Sequence, residues 1–245
     1  MTKLSVNLNR IALLRNSRNI DIPSVKRTAR TCIDSGVEGI TVHPRPDQRH
    51  IRPADVHDLA DMLTDAQNVE FNIEGNPFGL GLLDLVRDVK PTQCTLVPDD
   101  PGQATSDHGW DCVAEGSRLA PVIEELKGLG IRVSLFMDAE PTLIERAAEI
   151  GADRVELYTE PYALAFREGE TDTVLPVYVE AAQKAQSLGM DVNAGHDLNL
   201  DNIGPFLRTV PDILEVSIGH ALIAEAIELG LRTTISEYLE ILGRT

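Results

Sequence analysis

Short apolar segments alternate with amphipathic helical stretches along all 245 residues, and glycine after glycine closes a helix just before the next apolar run. Together these predict an α/β chain folded as a (β/α)8 TIM barrel with extra helices, a single domain over 1–245. The glycine signal recurs at Gly36, Gly130, Gly151 and Gly189, each followed within a few residues by a strand-like run. Glycine just past a helix end takes the left-handed cap without steric cost, the usual chemistry of a helix-to-strand loop. About eight such units in this length fit a closed barrel better than an open doubly wound sheet. No GxGxxG or GxxxxGK[ST] motif is present, which removes the usual dinucleotide and P-loop arguments.

The first strand is expected near 4–7 and ends Val6-Asn7-Leu8-Asn9-Arg10. The second, near 39–43, has Ile40 to Val42 as its buried run and must stop at Pro44 and Pro46, which cannot donate to a sheet ladder. The third, near 69–73, carries acids at Glu70 and Glu74. After the fourth, near 93–97, the stretch Asp99–Gly116 is rich in Asp, Gly and Ser and reads as a long loop. The fifth and sixth, near 132–137 and 154–158, flank the helical pattern Thr142–Ile150. The seventh, near 191–195, leads to His196 and Asp197. The eighth, near 213–218, runs through Gly219-His220 into a helical region from about 220 to 242.

With 42% hydrophobic and 25% charged residues the chain can build one large core. Cys32, Cys94 and Cys112 have no paired spacing, which argues for a reducing compartment and against a disulfide scaffold or structural zinc. Met1 leads into a polar, strand-like segment, not a signal peptide, and no apolar run approaches the ~18 residues that span a bilayer. A cytoplasmic location is therefore expected. The net charge of −17 disfavours nucleic acid and anionic membranes as partners. Residues 1–52 nonetheless hold 10 of the 22 Lys and Arg and only 4 of the 39 Asp and Glu. Chance could produce that imbalance, and so could a focused site for a small anion.

In a barrel of this kind the site is built where strands end. His43 ends the second strand beside Arg45 and Arg49, Asn193 and His196 end the seventh, and Gly219-His220 opens a helix whose free N–H groups suit an anion. Each has a plainer alternative. Asn7 and Asn193 could cap strand ends, Gly195 and Gly219 could be loop glycines, and Glu70 could be an ion-paired surface acid. Converging on one mouth, two His, an acid and several Arg suit multi-step acid–base chemistry on a phosphorylated carbonyl compound. Two other readings stand beside it. His43, Glu70, Glu74 and His196 could hold a divalent metal in a phosphosugar isomerase or hydrolase, or the barrel could bind a phosphosugar without catalysis.

Nearly the whole chain resembles the pyridoxine 5′-phosphate synthase family of the deoxyxylulose-phosphate-dependent vitamin B6 route. The segments that carry the resemblance are Val6–Arg18, Asp34–Arg45 with Arg49-His50-Ile51, Val133–Ala139, Asn193-Ala-Gly-His196 and Ser217-Ile-Gly-His-Ala221. The resemblance implies a transferase that joins 3-amino-2-oxopropyl phosphate to 1-deoxy-D-xylulose 5-phosphate, giving pyridoxine 5′-phosphate, phosphate and water with no metal or organic cofactor. It further implies a homo-oligomer, an octamer built of dimers. Carried over by position, His43 and Glu70 would be proton acceptors and His196 a proton donor. Asn7, Arg18, Gly219 and His220 would hold the aminoketone phosphate, and Arg45, His50 and Thr105 the deoxyxylulose phosphate. The commonest family pattern has Asp-His where this chain has Asn9 and Arg10, and other members carry Asn-Lys, so both positions are expected to touch substrate. That pattern also has Gly after the second His, where this chain has Asp197. A backbone contact there survives any side chain, provided the carboxylate turns away from phosphate.

Overall fold

The computed structural model describes residues 1–18, 20–66 and 68–243. Its elements run β1 (Lys3–Asn7), α1 (Asn9–Asn16), α2 (Val25–Asp34), β2 (Gly39–Val42), α3 (Pro53–Leu63), β3 (Glu70–Gly75), α4 (Leu82–Val89), β4 (Gln93–Leu96) and α5 (Cys112–Gly128). They continue with β5 (Arg132–Met137), α6 (Pro141–Glu149), β6 (Arg154–Tyr158), α7 (Glu160–Glu168), α8 (Thr171–Ser187), β7 (Asp191–Gly195), α9 (Ile203–Thr209), β8 (Ile213–Ile218), α10 (His220–Leu229) and α11 (Leu231–Ile241). The strands close into one parallel barrel in chain order, β8 pairing back onto β1. The extra helices fall after β1, β6 and β8, each of which is followed by two.

All eight strands lie where the sequence places them, with two informative shifts. β3 extends to Gly75 because Glu74 and Gly75 pair with Thr95 and Leu96 of β4. That extension makes Glu74 the acid near the carboxyl end of β3 and Glu70 the residue that opens the strand. The expected loop Asp99–Gly116 stops short, since α5 begins at Cys112. The Asp111 carboxylate caps it by accepting the N–H groups of Val113 and Ala114, each at 3.0 Å. The C-terminal helical region is two helices broken at Gly230, where φ is +87° and only glycine is comfortable.

Each strand turns its apolar alternates outward onto the helices, as Leu4 and Val6, Ile40 and Val42, and Val133 and Leu135 do, all fully buried. The inward alternates are polar. Ser5, Thr41, Asn72, Gln93, Thr95, Ser134, Asn193 and Ser217 are buried inside the barrel. Several pair with one another: Thr95 donates to Asn72 Oδ1 at 3.0 Å, and Ser5 and Thr41 hydroxyls meet at 2.8 Å, while Ser134 Oγ has no hydrogen-bond partner among the described residues. Parallel strands buried on both faces normally read as continuous apolar runs. These strands alternate because the barrel interior is hydrogen-bonded. Gly39 fits this narrow interior, since a Cβ there would lie 2.6 Å from Ser5 Oγ.

Candidate active site

A cavity of about 260 Å³ opens at the carboxyl ends of the strands. Asn7 holds two groups in register: its Nδ2 donates to Glu74 Oε2 at 3.3 Å and its Oδ1 accepts the Asn9 N–H at 3.0 Å. Asn9 in turn accepts the His43 backbone N–H at 2.9 Å, so its side chain ties the end of β2 to α1. Arg10 lies on the same wall. His43 is 6% exposed, with Nδ1 4.0 Å from Glu74 Oε2. Burial, then the neighbouring Arg45, His50, Arg49 and His196 charges, push its pKa well below the usual imidazole range. His43 is therefore neutral and able to accept a proton.

The segment after β2 is pinned from beneath. Arg15 is ion-paired to Asp55 and donates to the His50 carbonyl at 3.1 Å, and Asn16 donates to the same carbonyl at 2.8 Å. His50 Nδ1 accepts the Ile51 N–H at 3.0 Å, and burial followed by the Arg45 and Arg49 charges lowers its pKa to about 4. Arg45 is paired with Asp99 in a buried contact and donates to the Gln103 carbonyl at 3.0 Å. Arg49 donates to that carbonyl at 2.9 Å and to Pro101 O at 3.0 Å. These arginines thus hold the segment between β4 and α5 over the mouth, where Thr105 Oγ1 meets His196 Nε2 at 2.8 Å.

Two buried acids, Glu74 and Glu156, face this cavity. Burial, then repulsion from Glu156, Asp99 and Glu215, raises Glu74 well above the usual carboxyl range. Glu156 is pushed up to about 8 by burial and by Glu215, and its Oε2 is buried without a hydrogen-bond partner. Both carry protons at neutral pH, beside a neutral imidazole. Gly195 makes room for Glu156, because a Cβ there would sit 2.1 Å from Glu156 Oε1. Across the mouth, Gly219 precedes α10, which begins at His220, with Ser217 beside them.

Of the residues expected at the site, Asn7, Asn9, Arg10, His43, Arg45, His50, Thr105, His196, Asp197, Gly219 and His220 line this one cavity. Glu70 and Arg18 do not. Glu70 opens β3 at the opposite end of the barrel, ion-paired to Lys3 and Arg132, themselves the first residues of β1 and β5. Burial pushes its carboxyl up, but the hydrogen bonds from Lys3 and Arg132 outweigh this and hold it below the usual range. Four residues of strand, roughly 13 Å, separate it from Glu74. Glu70 thus lies away from the mouth, and Glu74 is the β3 acid that lines it. Arg18 is exposed beyond α1 and lies outside the cavity wall. Nor does the four-residue metal set assemble. Among the described residues no group of three His, Cys, Asp or Glu side chains is placed to hold an ion. Glu156 was missed, although as the middle residue of Arg-Val-Glu-Leu-Tyr its inward alternation was readable.

The chain matches the family described as Pyridoxal phosphate biosynthesis protein PdxJ over residues 4–244. It is 55% identical over 248 residues to a pyridoxine 5′-phosphate synthase of Xanthomonas campestris pv. campestris (strain B100), covering 99% of this chain and 96% of the relative. It is 52% identical over 248 residues to the protein of that name from Albidiferax ferrireducens, covering 99% and 98%. Among solved structures, 3-keto-L-gulonate-6-phosphate decarboxylase from Vibrio cholerae O1 biovar El Tor superposes with a TM-score of 0.65 at 12% identity, covering 100% of this chain and 99% of that one. At that identity the likeness is one of barrel fold alone.

Proposed function

The chain belongs to the family of pyridoxal phosphate biosynthesis protein PdxJ, and we propose that it joins 3-amino-2-oxopropyl phosphate to 1-deoxy-D-xylulose 5-phosphate to make pyridoxine 5′-phosphate, phosphate and water. The observation that carries this reading is the mouth itself. A neutral imidazole, two protonated carboxyls and a second imidazole face one cavity, between an arginine-rich wall and a helix start. Imine formation, loss of phosphate and ring closure with dehydration move protons at different atoms, so no single group serves every step. His43 accepts protons, Glu74 and Glu156 donate them, and His196 donates in the steps on its side of the mouth. A role for Glu70 in turnover is exerted through the hydrogen-bonded interior, since Arg132 links it to Gln93 at 2.9 Å and Gln93 to Thr95 at 3.3 Å.

Arg10, Arg45, His50 and Thr105 take the deoxyxylulose phosphate, while Asn7, Gly219 and His220 take the aminoketone phosphate. Guanidinium groups suit a phosphate dianion by paired charge-assisted bonds, and the start of α10 offers backbone N–H groups. A reducing compartment is in keeping with its three free buried cysteines, and the homo-oligomer follows from the family resemblance of the sequence alone. The test is to supply both phosphorylated substrates to purified protein and follow product absorbance and phosphate release. Equal amounts of pyridoxine 5′-phosphate and phosphate are expected, with none when either substrate is omitted. Release of phosphate from one substrate alone would replace this reading with a hydrolase.

A further inference from the structure

His196 and Asp197 are consecutive side-chain-bearing residues with left-handed backbone, φ +73° and +52°. L-residues adopt this conformation at a cost that glycine avoids, and such strain persists where the surrounding structure holds it. Here it is held on both sides. Thr159 Oγ1 donates to the His196 carbonyl, which also accepts the Leu198 N–H at 2.7 Å, and Asn202 Nδ2 donates to the Asp197 carbonyl at 3.1 Å. The strained pair brings Asp197 Oδ2 to 2.8 Å from His196 Nδ1 and leaves Nε2 on the cavity side against Thr105. The hydrogen bond to His196 holds the Asp197 carboxyl below its usual range. His108 has a similar contact with Asp107, but that pair is exposed and its backbone is ordinary.

We propose that Asp197 is a positioning residue for His196, forming with it a His–Asp dyad at the barrel mouth. The carboxylate accepts the Nδ1–H, which fixes the tautomer whose Nε2 lone pair faces the cavity, so that Nε2 takes up a proton in one step and donates it in a later one. The side chain is thus turned to the imidazole and away from substrate phosphate. The other groups facing the pair are the Phe136 and Tyr158 rings, with centroids 6.5 and 5.6 Å from the imidazole, and the more distant charges of His43, Asp99, Arg167 and His220.

The inference rests on the reading of His196 as a proton-transfer group, and two measurements keep the two apart. The first is ¹⁵N NMR of the His196 ring in the ligand-free protein. Protonation at Nδ1 in neutral wild type, replaced by mixed tautomers in Asp197→Gly, is expected, and a proton resident on Nε2 in wild type overturns the dyad. The second is steady-state kinetics of Asp197→Gly and Asp197→Asn. Asp197→Gly should lower kcat on the order of 10- to 100-fold with both KM values nearly unchanged. It should also move the acidic limb of the kcat profile to lower pH, while thermal stability holds or rises because glycine relieves the left-handed strain. Asp197→Asn, which can still accept from Nδ1, should fall between. A raised KM at unchanged kcat would make Asp197 a substrate contact, and a kcat loss that follows a lowered Tm would make it structural; either overturns the proposal. Full turnover in His196→Asn would sink the role of His196 while the NMR result still decided the dyad.

Discussion

Glu70 and Glu74 lie four residues apart on β3 and point the same way, yet their surroundings set opposite charge states. Two cations grip Glu70 as an ionised carboxylate, while burial among other acids keeps Glu74 protonated beside His43. Glu74→Gln keeps shape and hydrogen-bonding capacity but loses the transferable proton, so kcat should fall on the order of 10²-fold or more. Glu70→Gln should cost less turnover and show itself first as lowered stability, because it leaves Lys3 and Arg132 without their charge partner. Denaturant titration alongside kinetics checks both, and an equal kcat loss without destabilisation in Glu70→Gln would return that residue to the chemistry. The sequence alone does not show which acid of this pair reaches the mouth. Position within a strand becomes position along the barrel only when the pairing of Glu74 with Thr95 fixes where β3 ends. His43 and His196 were readable because prolines or a glycine mark their strand ends. The inward direction of Glu156 was readable too, but its raised pKa was not, because Glu215, which contributes to it, lies on a strand distant in sequence.

At the scale of elements, the segment between β4 and α5 is a long connection held to the mouth by side chains of other elements. Trp110 anchors its far end, donating to the Leu96 carbonyl at 2.9 Å, and its middle is held by Arg45, Arg49 and Thr105. Those holders also line the cavity, so this segment and the cavity wall share one set of side chains. Arg49→Ala removes two donors to the lid backbone and should speed proteolytic cutting between Pro101 and His108 several-fold in the free protein. Substrate should slow cutting in wild type, as closure excludes water from the dehydration steps. Cleavage indifferent to both the substitution and the ligand would count against a lid. Its looped character was legible in the run of Asp, Gly and Ser. Which groups hold it over the mouth was not, because they are arginines some fifty residues earlier in the chain.

For the whole molecule, short apolar segments alternating with glycine-ended helical stretches gave away the barrel, while the polar alternates inside its strands explain its pH behaviour. Polar interiors bury acids: Glu156 is raised to about 8 and Glu215 to about 7, chiefly by burial, from an ordinary value of 4.5. A raised carboxyl pKa means the folded state keeps protons that the unfolded chain releases. The associated stability is complete below about pH 4.5 and is lost as pH rises through 7 to 8. Melting of wild type should therefore fall by a few degrees between pH 6 and 9, and Glu156→Gln should flatten that fall. A variant with the wild-type slope would assign the pH dependence elsewhere. The basic first fifth of the sequence proves only partly a mouth feature, since Arg10, Arg45 and Arg49 reach the cavity while Arg15 is spent on Asp55. The most direct test of the mouth as the site is a crystal structure with 1-deoxy-D-xylulose 5-phosphate bound. The phosphate should lie against Arg45, His50 and Arg10, with Asp99 displaced from or sharing Arg45. A phosphate seated elsewhere, or at the Glu70 end of the barrel, would contradict the account.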